Sequence, residues 1–397
     1  MTDNQDPVIV AVTRTPFGRL EGALVGVPAP RLAAWAIDEA LQRAGKPPID
    51  AVYAGIGLIG GATLTATRQA VLLSSLPHTT PSFGVDRACC SGMTAIGLGW
   101  KDILAGQSES LVCGGFESLS RTPLLWPRQR PRIGTVSVED PLRLSGPAVD
   151  RPIAVYSGEE ALRQGVSRVD QDSWAVASHS NYFAAQERGF FAFERMALTL
   201  DGPKGQALVV DADESPRRDT TLEKLSRLSP VYGGPCITAG NAPGLNDGAA
   251  FVVLVSANFA RTHGLKALAR VRGYAQVCGD ATSGTYTPAV AIDTLLQKQG
   301  LTIDGIDQIE INEAYAATPL VSTLRLGGGD PARVAALRKR TNIHGGAVAI
   351  GHPLGASGAR LTMTLIAGLR ERGGGRGVAA ICGGFGQGDA LLVEVDA

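Results

Sequence analysis

Cys113-Gly114-Gly115-Phe116 returns later in the chain as Cys382-Gly383-Gly384-Phe385, and each copy ends a strand-like apolar run that follows a helix-like, glycine-rich stretch. The chain therefore reads as internally duplicated. Ahead of the first copy stands Ala88-Cys89-Cys90-Ser91-Gly92, and ahead of the second stands Gly351-His352-Pro353-Leu354-Gly355-Ala356-Ser357-Gly358. A cysteine and a histidine thus occupy equivalent points of the two halves, and the second copy adds Cys382. Paired half-domains whose strand ends share one face bring distant residues into one pocket, whose reactive set would be two thiols and an imidazole. Only the thiolate is a strong nucleophile, and a helix N-terminus or a neighbouring imidazole lowers a thiol pKa toward neutrality. Cys89 falls between a strand expected at 81–85 and a helix expected from Gly92 to a stop at Gly106, so both influences are expected there.

The first half alternates strand and helix signals. A β-branched run at 8–12 precedes a helix over 31–44 that carries Leu32, Ala36, Ile37, Ala40 and Leu41 at helical spacing before Gly45. A strand at 52–59 and a helix over 66–76, stopped by Pro77, follow. The second half repeats the theme: a strand at 269–274, a helix through 292–299, a strand at 306–311, a helix after Glu313, a long helix over 359–372, then strands at 378–381 and 391–395. Such alternation predicts an α/β fold with buried strands. Between the halves the pattern loosens into Pro- and Arg-rich segments at 123–131 and 211–219 around a helix over 171–188. Three parts are expected: 1–119, completed by about 245–268; an inserted loop domain at 120–244; and 269–397. Long insertions of this kind tend to line binding sites, and Arg128, Arg130, Arg132, Arg217 and Arg218 are candidates to meet phosphates.

Composition narrows the function classes. Lysine plus arginine and aspartate plus glutamate number 37 each, so no nucleic acid is expected as a partner. The N-terminus is polar and acidic, and no apolar stretch reaches the ~18 uninterrupted residues of a spanning helix. No membrane insertion is expected, and a soluble cytoplasmic protein is the reading. The six cysteines lack close-spaced metal patterns, and adjacent Cys89 and Cys90 are poor disulfide partners.

Several motifs follow one another in a single order. They are Arg14-Thr15-Pro16-Phe17-Gly18-Arg19, Asp86-Arg87-Ala88-Cys89-Cys90-Ser91-Gly92, Gly114-Gly115-Phe116-Glu117-Ser118-Leu119-Ser120, Asp213-Glu214, and the run from Thr238-Ala239-Gly240-Asn241-Ala242-Pro243-Gly244 to Ala249. Asn312-Glu313-Ala314-Tyr315, the Gly351 to Gly358 segment and the Cys382 to Gly388 segment complete the series. Together, from residue 14 to the C-terminus, they resemble the thiolase family. The resemblance implies a thiolase-like α/β fold, two duplicated βαβαβαββ halves in a five-layered αβαβα arrangement with an inserted loop domain. It also implies an acyl-CoA C-acyltransferase of lipid metabolism, either an acetyl-CoA C-acetyltransferase or a 3-ketoacyl-CoA thiolase. Acyl-CoA and CoA would be substrates, with no permanent cofactor and no metal, and the chain would form a homodimer or homotetramer.

By the same resemblance, Cys89 takes the acyl group with His352 raising its thiolate fraction, and Cys382 is the general acid and base at the carbon beside the thioester. One oxyanion would meet the His352 imidazole and a water held by Asn312; the other would meet the backbone N–H groups of Cys89 and Gly384. Arg217, Ala242, Pro243 and Gly244 would contact CoA. The glycines after Cys382 would allow close backbone approach.

Four departures from the family pattern concern the acyl pocket. The His-Met-Gly segment expected upstream of Glu159 is not recognisable in 151–158, Pro243 stands where a serine is common, Tyr315 replaces phenylalanine, and 327–340 is long and basic. A pocket suited to a longer, branched or otherwise unusual acyl chain is expected. Two rival readings are a condensing enzyme acting on carrier-protein thioesters, against which Cys382 argues, and an inactive thiolase-like acyl-CoA- or lipid-binding protein. Cys113 and His344 are expected to be structural and Cys90 to pack, Asn312 has helix capping as an alternative role, and His78, His179 and His263 have no motif support.

Overall fold

Successive residues of a strand buried on both faces point to opposite sides, and the Asn246–Ser256 strand divides its side chains accordingly. Val252 and Leu254 pack with Met93, Ile96, Leu361 and Leu365, whereas Phe251, Val253 and Val255 pack with Leu32, Ile37 and Leu41. The sheet thus has a helix layer on each side. The structure, a computed structural model, describes residues 3–58, 64–126, 138–202 and 205–397.

The strands run in the order Gln308–Ile311, Gly375–Gly383, Gln387–Val395, Ala269–Cys278, Pro7–Arg14, Asn246–Ser256, Ser110–Ser118, Ala51–Gly55 and Ser82–Val85. The join between Pro7–Arg14 and Ala269–Cys278 is narrow, with only Val8–Arg270 and Ile9–Ala269 in register. On either side of this seam the halves match. Ser110–Ser118 runs parallel to Ala51–Gly55 and antiparallel to Asn246–Ser256; Gly375–Gly383 runs parallel to Gln308–Ile311 and antiparallel to Gln387–Val395.

The two sheet halves enclose the helices Ser91–Leu104 and Leu354–Glu371. Helix Ala29–Arg43 covers the outer face of one half and Thr287–Lys298 that of the other. The result is the expected five-layered thiolase-like fold. The enclosed helices touch through glycines at their N-termini: a Cβ on Gly92 would come within 2.3 Å of the Gly355 carbonyl oxygen, and one on Gly358 within 2.4 Å of the Met93 nitrogen. This contact brings the Cys89 turn and the His352 loop together.

Several elements differ from the sequence expectation at their ends. The strand expected at 52–59 closes at Gly55 and the helix expected to 76 closes at Leu73. The last helix starts at Leu354, ahead of the expected 359, because Gly355 and Gly358 serve packing rather than a loop. Residues 331–338 form a further helix, Pro331–Arg338, capped by the Asp330 side chain.

The 120–244 stretch is pinned by buried charge. Arg14, fully buried, donates to Glu194 at 2.6 Å and to both Asp213 oxygens at 2.6 and 3.0 Å. Glu313 accepts from Trp174 and Ser178 of the Arg168–Glu187 helix, and also from Asn342 and the Val348 N–H. Such pairs are costly to break from one side only.

Candidate active site

Cys89 sits in the short turn Ala88–Cys90 that feeds the Ser91–Leu104 helix. Ala88 has φ of 49°, a left-handed conformation that costs a non-glycine residue energy and turns the chain sharply before the thiol. Ser91 braces the turn, accepting from the Arg87 N–H at 2.8 Å and donating to the Ala88 carbonyl at 2.6 Å. Arg87 carries the brace across to the other half, donating to Asp389 and, at 3.0 Å, to Gln387. Asp389 also accepts from Thr94 and Tyr274 at 2.5 and 2.7 Å.

His352 Nε2 lies 3.2 Å from Cys89 Sγ and 3.4 Å from Asn312 Nδ2. Its other ring nitrogen, Nδ1, lies 2.6 Å from Ser357 Oγ, which in turn sits 2.9 Å from the Pro353 carbonyl. That carbonyl takes the hydroxyl proton, so Ser357 accepts from Nδ1–H and the Nε2 lone pair faces the thiol. The His352 N–H donates to Asn246 Oδ1 at 2.9 Å, fixing the loop itself. Asn312 is held by its N–H to the Ala380 carbonyl at 2.9 Å, and its amide oxygen lies 3.5 Å from buried Arg360. Helix capping by Asn312 is ruled out, since the next helix begins at Ala317 with Ala316 at its cap.

Electrostatics modify one expectation. Burial pushes the Cys89 thiol above its ordinary range, with Cys382 and Glu117 adding to the shift, and burial holds the His352 ring down at about 3. The expected lowering of the Cys89 pKa by a helix end and imidazole is outweighed by desolvation of both charged forms. The resting pair is therefore a neutral thiol beside a neutral imidazole, set up for proton transfer when substrate arrives. Burial also pushes Cys382 up to about 12, so it too rests as a proton-bearing thiol.

Cys89, His352, Cys382 and Gly384 line one cavity of about 320 Å³. Its other walls include Leu142, Leu144, Ile153, Tyr156, Val231, Tyr232, Pro243, Tyr315 and Phe385. Asn312 stands behind His352 rather than on the wall. Ala242 and Gly244 line this cavity and also an adjoining one of about 220 Å³ that reaches Arg19, His179 and Arg217. The two cavities share Ala239, Ala242, Gly244 and Leu245 as walls, and the second reaches exposed Arg217. Arg218, by contrast, pairs with Glu187 at 2.7 Å, and Arg128, Arg130 and Arg132 lie outside the described residues.

The glycines after Cys382 are used differently from expectation. A Cβ on Gly384 would find its nearest neighbour at 3.4 Å, an ordinary contact, whereas one on Gly383 would press on the Arg87 carbonyl at 2.9 Å. One on Gly386 would meet the Asp280 carbonyl at 2.3 Å, and φ there is 75°. Close approach is thus required on either side of Gly384.

Sequence reasoning did not single out Ser357, although it stands five residues after His352 in the same Gly351 to Gly358 segment, or Tyr156, which carried no motif. Cys113 and Cys90 are fully buried. His344 stacks on Phe190 and contacts Glu371 at 3.1 Å, far from any catalytic use. Among the described residues no cluster of three or more His, Cys, Asp or Glu could hold a metal, and no helix is long and apolar enough to cross a membrane.

Known proteins resemble this chain along its whole length. Residues 7–258 match the family described as thiolase, N-terminal domain, and 265–395 that described as thiolase, C-terminal domain. A beta-ketoadipyl-CoA thiolase of Pseudomonas aeruginosa is 39% identical, covering 98% of this chain and 99% of its own length. An acetyl-CoA acetyltransferase of the same organism is 38% identical, covering 99% and 100%. In structure, the acetyl-CoA acetyltransferase of Bacillus anthracis superposes with a TM-score of 0.92 at 34% identity, covering 98% of each chain.

Proposed function

The chain belongs to the thiolase family, and on that premise we propose that its acyl transfer runs through an acyl-enzyme on Cys89, with His352 and Cys382 moving the protons. The protein is an acyl-CoA C-acyltransferase. The observation that carries the assignment is the 3.2 Å approach of Cys89 Sγ to His352 Nε2, the ring nitrogen that the Nδ1–Ser357 contact leaves unprotonated, in a cavity that Cys382 shares.

In the cleaving direction, His352 Nε2 takes the Cys89 proton as the sulfur bonds to the 3-keto carbon of a 3-ketoacyl-CoA. The Nε2–H so formed and a water held by Asn312 would serve one oxyanion, and the N–H groups of Cys89 and Gly384 the other. When the C2–C3 bond breaks, its electron pair becomes the enolate of acetyl-CoA, and Cys382 gives it a proton. Free CoA then gives up its thiol proton to the Cys382 thiolate and attacks the acyl carbon. Cys89 leaves as a thiolate and recovers its proton from His352. Condensation is the same sequence reversed. The path past Ala242, Pro243 and Gly244 to Arg217 would carry the pantetheine arm and meet a phosphate.

The rival readings are less favoured. The relatives named above are CoA enzymes, and an inactive binding protein would have no use for a braced Cys89, His352 and Cys382. We place the protein in the cytoplasm as a homodimer or homotetramer.

The apolar wall of Leu142, Leu144, Ile153 and Val231 supports an acyl group longer than acetyl. Turnover of plain 3-ketoacyl-CoAs of increasing length, and of 2-methyl-branched ones, with CoA as acceptor tests this. A longer or branched chain is expected to exceed acetoacetyl-CoA in kcat/KM by roughly 10-fold per well-buried methylene. Acetoacetyl-CoA as the best substrate would refute the chain-length proposal.

A further inference from the structure

Tyr156, Tyr232 and Tyr315 line the reaction cavity, and the hydroxyls of Tyr156 and Tyr315 have no part in the acyl transfer described above. Tyr156 stands in the first turns of the Ile153–Arg163 helix, and Tyr315 in the loop after Asn312. Different elements bring them to the same wall as Cys89 and Cys382. Tyr156 is 2% exposed; the Phe385 N–H is directed at its oxygen, but its hydroxyl proton has no acceptor among the described residues. A buried hydroxyl left unpaired costs about 1–3 kcal/mol, and phenylalanine would fill the same space without that cost. Such a group is expected to find its partner in a ligand.

The position of the hydroxyls along the cavity is also informative. Both line the cavity that holds Cys89 and Cys382 and neither lines the adjoining one that reaches Arg217, and burial pushes both phenol pKa values up. The two rings therefore stand at the thiol end, beside the carbons that react, and not along the path toward Arg217. Each remains a neutral hydrogen-bond donor at working pH. The nearest cationic wall residue, Arg143, is largely exposed and faces Asp150 at 3.5 Å, so the buried end of the cavity offers hydrogen bonds rather than charge.

We propose that Tyr156 and Tyr315 form a paired donor site for an oxygen on the acyl chain close to the reacting carbonyl, so that the preferred substrate is an oxygen-substituted 3-ketoacyl thioester. The proposal rests on the thiolase reading of the same cavity and names the class of its substrate. A hydroxyl or a further keto group offers the required neutral acceptor. A site built to bond such an oxygen discriminates strongly against the chain that lacks it, because its donors are then buried unpaired.

The test compares three six-carbon thioesters with CoA as acceptor: 3-oxohexanoyl-CoA, its 5-hydroxy derivative and its 5-oxo derivative. At least one oxygenated substrate is expected to exceed the plain chain in kcat/KM by about 10-fold or more. Tyr156→Phe and Tyr315→Phe should each reduce that ratio several-fold, with thermal unfolding confirming that both variants fold. The proposal is overturned if the plain chain is the best of the three in the unaltered protein, or if both variants leave the ratio unchanged. Failure to cleave any of the three, with no acyl group found on Cys89, would instead sink the thiolase mechanism itself.

Discussion

Ser357 Oγ stands 2.6 Å from His352 Nδ1, and this one contact decides which ring nitrogen can act on Cys89. Because the Ser357 proton is committed to the Pro353 carbonyl, the ring keeps its own proton on Nδ1 and offers Nε2 as base. Ser357→Ala removes the orienting acceptor but no group that touches substrate. The rate of Cys89 acylation by acetyl-CoA should fall by about 10-fold or more, part of the usual worth of a positioned base. Stopped-flow acylation at several pH values checks this, and an unchanged rate would show that the ring holds its tautomer without Ser357.

Two chemistries should select two different cysteines. Cys278 is exposed at a strand end, while Cys90 and Cys113 are fully buried. Iodoacetamide is expected to modify Cys278 readily, whereas brief exposure to acetyl-CoA or a 3-ketoacyl-CoA should add an acyl group to Cys89. Peptide mass spectrometry reads both. An acyl group on Cys90 or Cys113 would overturn the assignment of the nucleophile.

Cys382→Ser should separate acyl capture from carbon–carbon chemistry, since Cys382 is assigned to the proton on carbon. The variant is expected to acylate Cys89 yet lose condensation by roughly 10²-fold or more. Near-normal condensation would remove Cys382 from the mechanism.

The His179 and His352 rings should stay neutral well into acid. Burial holds the His179 and His352 rings down at about 4 and 3, and His179 Nδ1 accepts the Arg217 N–H at 3.1 Å, which requires the neutral ring. The unfolded chain protonates both histidines near 6.5. Above that pH neither state binds the protons and these residues add no slope. Below it the unfolded state takes up two protons on these rings that the folded state refuses, which lowers stability, whereas burial that pushes the Glu117 and Glu310 carboxyls up to about 8 gives the folded state two protons the unfolded chain lacks and raises it over the same range. Against the cost of burial, Arg14 and Arg195 hold the Asp213 carboxyl below its ordinary range. Its contribution is present at neutral pH and is lost, with the same sign as that of the histidines, further into acid. Because the histidine and glutamate contributions oppose, the rings are read directly: NMR titration of the two imidazoles from pH 8 to 4.5 should show no midpoint above about pH 5, and a midpoint near 6.5 for either would contradict a buried neutral ring.

The repeated Cys-Gly-Gly-Phe motif and the alternating apolar runs were enough to read an α/β chain with two equivalent halves, because a strand buried on both faces and an amphipathic helix each leave a local periodic trace. Cys89, His352 and Cys382 were legible for a similar reason: each lies in a short segment whose composition reflects a tight turn at a strand or helix end. The repeat could not reveal that its two phenylalanines differ. Phe116 is buried within a strand, while Phe385 has φ of 60° and lies along the cavity wall against Gly146. The protonation of the site was likewise hidden, because desolvation depends on everything packed around a thiol or imidazole and not on its neighbours in sequence. Tyr156 and Ser357 gave no signal on their own, since a hydroxyl gains a role only from what stands within about 3 Å of it. Sequence by itself determined the α/β alternation and the reactive residue types; the helix contact at Gly92 and Gly358 decided which of them meet, because two backbones approach closely enough there to set a thiol against an imidazole.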